Sequence, residues 1–83
     1  LPERLALHAP VPNPTAGAAD VRFDLPRAGD VRVEVFDVMG RRVVVLAGGE
    51  HPAGRHAVRW DAGALAAGAY LVRLSSADGV IVH

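Results

Sequence analysis

Apolar and polar residues alternate with period two along most of the chain. Val21, Phe23 and Leu25 are separated by Arg22 and Asp24; Val31, Val33 and Val35 by Arg32 and Glu34. His56, Val58 and Trp60 alternate with Ala57 and Arg59, and Tyr70, Val72 and Leu74 with Leu71, Arg73 and Ser75. Side chains of a strand point alternately to its two faces, so each segment predicts a strand with one face on a core and one in water. By that parity Phe23, Trp60 and Tyr70 belong to the core. Phe36 and the charges of Arg22/Asp24, Arg32/Glu34, Arg59/Asp61 and Arg73 belong to the solvent side. Val43 to Leu46 is a continuous apolar run, the pattern of a strand covered on both faces.

Turn residues punctuate these runs. Pro26 to Asp30 separates two strands, and Asp37-Val38-Met39-Gly40 predicts a tight hairpin with Gly40 at positive φ. Gly48 to Gly54 and Asp61 to Gly68 read as longer loops, the second with one possible helical turn at Ala64–Ala67. Strands are expected near 4–8, 20–25, 30–37, 42–47, 55–60, 69–75 and 79–83. Short strands at this spacing indicate an antiparallel sandwich or barrel. The Ala9–Ala19 segment, with Pro10, Pro12 and Pro14, reads as a stiff extended crossing from the first strand to the sheet.

Composition narrows what such a fold is for. Eighty-three residues make one small domain, and only about 60% of the surface of a chain this short is buried on folding. With 5% aromatic residues, the core is built from Val, Leu and Ala. Nine cations, all Arg, balance nine acids, which argues against a nucleic-acid face and against a polybasic membrane anchor. There is no Cys, hence no disulfide framework, thiolate metal site or Cys nucleophile, and no Lys for Schiff-base chemistry. The start, Leu1-Pro2-Glu3-Arg4, carries neither an initiator Met nor a signal-peptide pattern, which predicts a domain cut from a longer chain.

The residues that carry chemistry elsewhere are scattered here. His8, His51, His56 and His83 lack metal-ligand spacing, with His51 expected in a loop and His56 on a strand. The acids form no calcium loop, and Ser75 and Ser76 lie near a strand end outside any G-x-S-x-G elbow. Asp24 and Glu34, if neighbours across strands, would be a carboxylate pair facing water without a cleft. One exposed aromatic, Phe36, is a poor platform for sugar stacking. No catalytic, cofactor-binding or metal-binding residue is expected, and no enzyme activity.

Five blocks, taken in order, carry a resemblance. They are Val11-Pro12-Asn13-Pro14; Val21 to Pro26 with Gly29; Val33 to Val43 around Phe36-Asp37-Val38-Met39-Gly40-Arg41-Arg42; Pro52 to His56 with Trp60-Asp61; and Leu65-Ala66-Ala67-Gly68-Ala69-Tyr70. Together they resemble the C-terminal sorting domains of type IX secretion substrates in Bacteroidetes and relatives. Those domains in turn resemble the immunoglobulin-like domain of the flagellar hook-capping protein. Phe36 stands where the family usually has Tyr, and no Lys or Arg follows Gly79 to His83.

The resemblance implies an all-β, immunoglobulin-like antiparallel β-sandwich of about seven strands, one domain over residues 1–83 at the C-terminal end of a longer secreted protein. It implies a non-catalytic role: directing an upstream cargo through the outer-membrane type IX translocon, with removal by a sortase-like peptidase at the cell surface. Under that reading Gly40, Arg41, Arg42, Val80, Ile81 and Val82 are the expected recognition residues. Pro12, Asn13, Pro14, Gly54, Trp60, Asp61, Gly68 and Tyr70 are the structural motif. Gly54 and Gly68 would free the backbone at strand starts, and Asp61 would accept from backbone N–H groups in the turn after it. The alternative is a retained immunoglobulin-like accessory module of an extracellular enzyme, serving cell attachment, spacing or weak carbohydrate binding. The outer-membrane surface is the expected location in the first case, with no nucleic acid, cofactor or membrane span in either.

Overall fold

The alternating segments fold as strands in a computed structural model that describes residues 2–8, 11–13, 18–60 and 70–83. In chain order these are β1 (Ala6–Leu7), β2 (Val11–Asn13), β3 (Ala18–Leu25), β4 (Gly29–Asp37), β5 (Arg42–His51), β6 (Gly54–Trp60), β7 (Tyr70–Ser76) and β8 (Gly79–Val82). In the first sheet β3 is central, with β6 along one side and β1 and β2 end to end along the other. The second sheet has the order β5-β4-β7-β8. Every pairing is antiparallel. Because β1 and β2 share one edge of β3, the eight segments amount to seven strand positions, as expected.

The two sheets are held together by what the alternation turned inward. Val21, Phe23, Leu25, Leu7 and Trp60 from the first sheet meet Val31, Val33, Val35, Val72 and Leu74 from the second. Each fully buried Val, Leu or Phe contributes about 1.5–3 kcal/mol by leaving water. Trp60 is buried, and the partly buried Tyr70 meets it edge to face at 5.7 Å, as parity predicted.

Several expectations are corrected. The described part of the expected 9–19 crossing is sheet: Val11–Asn13 is a strand on β3, registered with Asp20 to Ala18. Pro12 is tolerated because this strand is an edge, where a missing N–H costs no ladder bond on the open side. Residues 48–51 are not loop but the end of β5, so His51 lies on a strand. Val43 to Leu46 is not covered on both faces. Val44 and Leu46 pack on the core while Val43 and Val45 are exposed. The expected loop 61–68, its helical turn, Asp61, Gly68 and Pro14 lie outside the described residues.

Candidate functional site

The β4–β5 hairpin holds the first group of expected recognition residues. Gly40 sits at φ +81°, a conformation L side chains rarely adopt. The Asp37 carboxylate then organises the turn. Its Oδ1 accepts the backbone N–H of Met39 at 2.9 Å and of Arg41 at 3.0 Å, and its Oδ2 accepts Arg41 Nε at 3.0 Å. The Arg41 N–H, the opposing effect of burial, the Met39 N–H and the Arg41 guanidinium leave this carboxyl below its ordinary pKa. Arg41 is thus tied to its own turn.

Arg42 reaches the other way. Its Nη1 donates to Glu34 Oε2 at 3.2 Å, while Arg73 Nη2 donates to Glu34 Oε1 at 2.9 Å. The Arg73 guanidinium also lies 4.6 Å above the Phe36 ring. One carboxylate therefore joins β5, β4 and β7 on the outer face of the second sheet, where Glu34 pairs with Val45 on one side and Arg73 on the other. Glu34 is only 2% exposed, which overturns its expected place in solvent. Phe36 is likewise half-buried rather than free. Burial alone would raise the Glu34 pKa. The hydrogen bonds from Arg73 and Arg42, with the charges of Arg73 and Arg32, outweigh it and leave the carboxyl below its usual value. Asp24 and Glu34 lie on different sheets and are not neighbours.

The second group is β8. Ile81 packs on the core, whereas Val80 and Val82 project outward, 61% and 55% exposed. They share the outer face of the second sheet with Arg42, Arg73 and the exposed Leu71. The structure thus brings Arg42, Val80 and Val82 to one face, and leaves Gly40 and Arg41 at the hairpin tip. A shallow depression of about 500 Å³ on this face is lined by Arg32, Glu34, Gly48, Gly49, Arg73 and Ser75 among others. The Glu34 clamp was not foreseen. The signal was present as Arg73 and Arg42 on strands that flank Glu34, but using it requires the register.

The histidines hold structure. His8 Nε2 is 3.0 Å from Asp24 Oδ2. The His56 ring stacks on buried Phe23 at 5.2 Å, its Nε2 donates to the Pro52 carbonyl at 2.8 Å, and His51 meets it edge to face at 5.4 Å. Among the described residues no three His, Asp or Glu side chains are placed to hold a metal ion. Gly54 opens β6 at φ +135°, the backbone freedom expected of it.

Two antiparallel sheets, a shared aliphatic core and a chain that passes between the sheets at β3–β4 and again at β5–β6 define an immunoglobulin-like β-sandwich. Residues 11–79 match the model of the FlgD Ig-like domain, and the chain belongs to that family. The resemblance to the immunoglobulin-like domain of the flagellar hook-capping protein is borne out at this level. No curated protein and no solved structure gives a significant match.

Proposed function

We propose that this domain is a non-catalytic sorting and anchoring module, which directs an upstream cargo through the outer-membrane type IX translocon to the cell surface. The observation that supports it is an immunoglobulin-like sandwich that carries exposed apolar side chains, Val80 and Val82, on an edge strand. A strand edge of this kind is read by shape and main-chain pairing rather than by chemistry. Both arginines are paired with a carboxylate, and Arg42 is the better candidate for recognition because it shares the outer face with Val80 and Val82 while Arg41 lies at the hairpin tip. A second reading, a retained accessory module of an extracellular enzyme, is favoured by the family match being to the immunoglobulin-like domain as such.

The two readings part in one experiment. Residues 1–83 are fused to the C-terminus of a secreted reporter in a host with a type IX translocon, and the intact mass of the reporter is measured in periplasm, on the surface and in the medium. Surface reporter lacking the domain, with the intact fusion in the periplasm, supports sorting with cleavage. Intact fusion on the surface supports a retained module. Reporter confined to the periplasm overturns the sorting reading.

A further inference from the structure

Among the described residues the sandwich has four strand edges, and three of them are guarded. β5 is bent by bulges at Val33/Glu34 and Val35/Phe36 and carries Arg42 and Glu50. β6 carries exposed Arg55 and Arg59. The β1–β2 edge contains Pro12. Charges, prolines and bulges are the devices by which proteins keep sheet edges from pairing with other chains. β8 has none of them: Gly79-Val80-Ile81-Val82 is regular, uncharged and registered without a shift on β7.

The ladder also fixes which groups on β8 are unused. Val72 and His83 exchange both backbone bonds, at 3.1 and 2.9 Å. Bonded and non-bonded pairs alternate in an antiparallel ladder, so Leu74 and Ile81, two residues further along, are the next bonded pair. Val80 and Val82 therefore turn their N–H and C=O groups away from β7; β1 comes near β8 but does not pair with it. Among the described residues β8 pairs with β7 alone.

We infer that the β8 edge pairs with the β8 edge of a second copy, antiparallel about a two-fold axis at Ile81. The pattern is self-complementary. Val80 would exchange both backbone bonds with Val82 of the other copy, and Val82 with Val80, while the two Ile81 residues form the non-bonded pair at the axis. The exposed valines then become cross-strand aliphatic neighbours on one continuous outer face. The chain is formally neutral, so two copies meet without net repulsion. A five-residue edge is far smaller than a standard interface, so association is concentration-dependent. The inference concerns the isolated domain and holds whether the module is cleaved or retained.

The native chain has no Cys, so Ile81→Cys supplies a single thiol, at a position where the two Cα atoms of a non-bonded pair come within disulfide range. The expected result is a disulfide-linked dimer on mild oxidation of Ile81→Cys, and none for Val45→Cys on the guarded β5 edge. Sedimentation equilibrium of the wild type against Val80→Lys keeps the test independent of the Ile81 variant's stability. Val80→Lys is expected to weaken association at least about tenfold by placing a charge on the edge. A wild type that stays monomeric at millimolar concentration, or a dimer unaffected by Val80→Lys, overturns the inference. Binding of an unrelated extended peptide to β8 by a monomeric domain overturns it as well.

Discussion

At Gly40, φ of +81° coincides with open space where a Cβ would stand. The cost of a side chain there is therefore backbone strain alone. Gly40→Ala is expected to lower stability by about 1–2 kcal/mol, and Gly40→Asn by less, because Asn tolerates the left-handed region. Urea unfolding of the two variants separates strain from crowding, since crowding would make the larger Asn worse. Glu34 has the opposite character, with all of its value in its partners. Glu34→Gln keeps the shape and removes the charge that two guanidinium groups share. The loss is expected at about 2 kcal/mol, the worth of hydrogen bonds to charged groups, since half-exposed Arg42 and Arg73 regain water. Thermal unfolding reads this as a drop of roughly 8–16 °C for a domain of this size.

Strands were legible where alternation met no irregularity. Val21 to Leu25 and Tyr70 to Leu74 follow parity, and their inward residues are the core. β5 was misread because its outward positions Val43 and Val45 are themselves apolar, so an alternating, half-exposed strand looks like a continuous apolar run. The Glu34 clamp was hidden for a different reason: parity puts Glu34 outward, which is right, but does not tell which residues of the neighbouring strands cover it. β2 was missed because proline statistics for central strands do not apply to an edge. β8 shows how much one strand's two faces differ. Ile81→Ala is expected to cost about 1–2 kcal/mol, less than a full core truncation because the site is partly exposed. Val82→Thr on the outer face is expected to change stability by no more than about 0.5 kcal/mol in dilute solution. Chemical denaturation of both variants checks the contrast, and a costly Val82→Thr would mean that β8 is covered on both faces.

Across the molecule, side-chain hydrogen bonds and ion pairs tie together segments that the core alone leaves loose. Asp24 of β3 holds His8 just after β1, Arg27 pairs with Asp78 between the β3–β4 link and the β7–β8 turn, and Glu34 spans three strands. Acid acts on these ties through Glu34 and on the β4–β5 turn through Asp37. The sign follows from Glu34 and Asp37, both of which titrate lower in the folded chain than in the unfolded one. The unfolded chain then binds protons first as pH falls, and stability falls with it. The contribution is complete well above the unfolded carboxyl values of about 4, erodes as pH drops through them, and is gone below the folded values. The unfolding temperature is accordingly expected to stay level from about pH 7 to about pH 5 and to decline below about pH 4. Glu34→Gln should start lower and decline less steeply, because Gln has no proton to gain. A variant whose curve runs parallel to the wild type would assign the acid sensitivity to the other carboxylates, and would make the clamp a matter of geometry rather than charge.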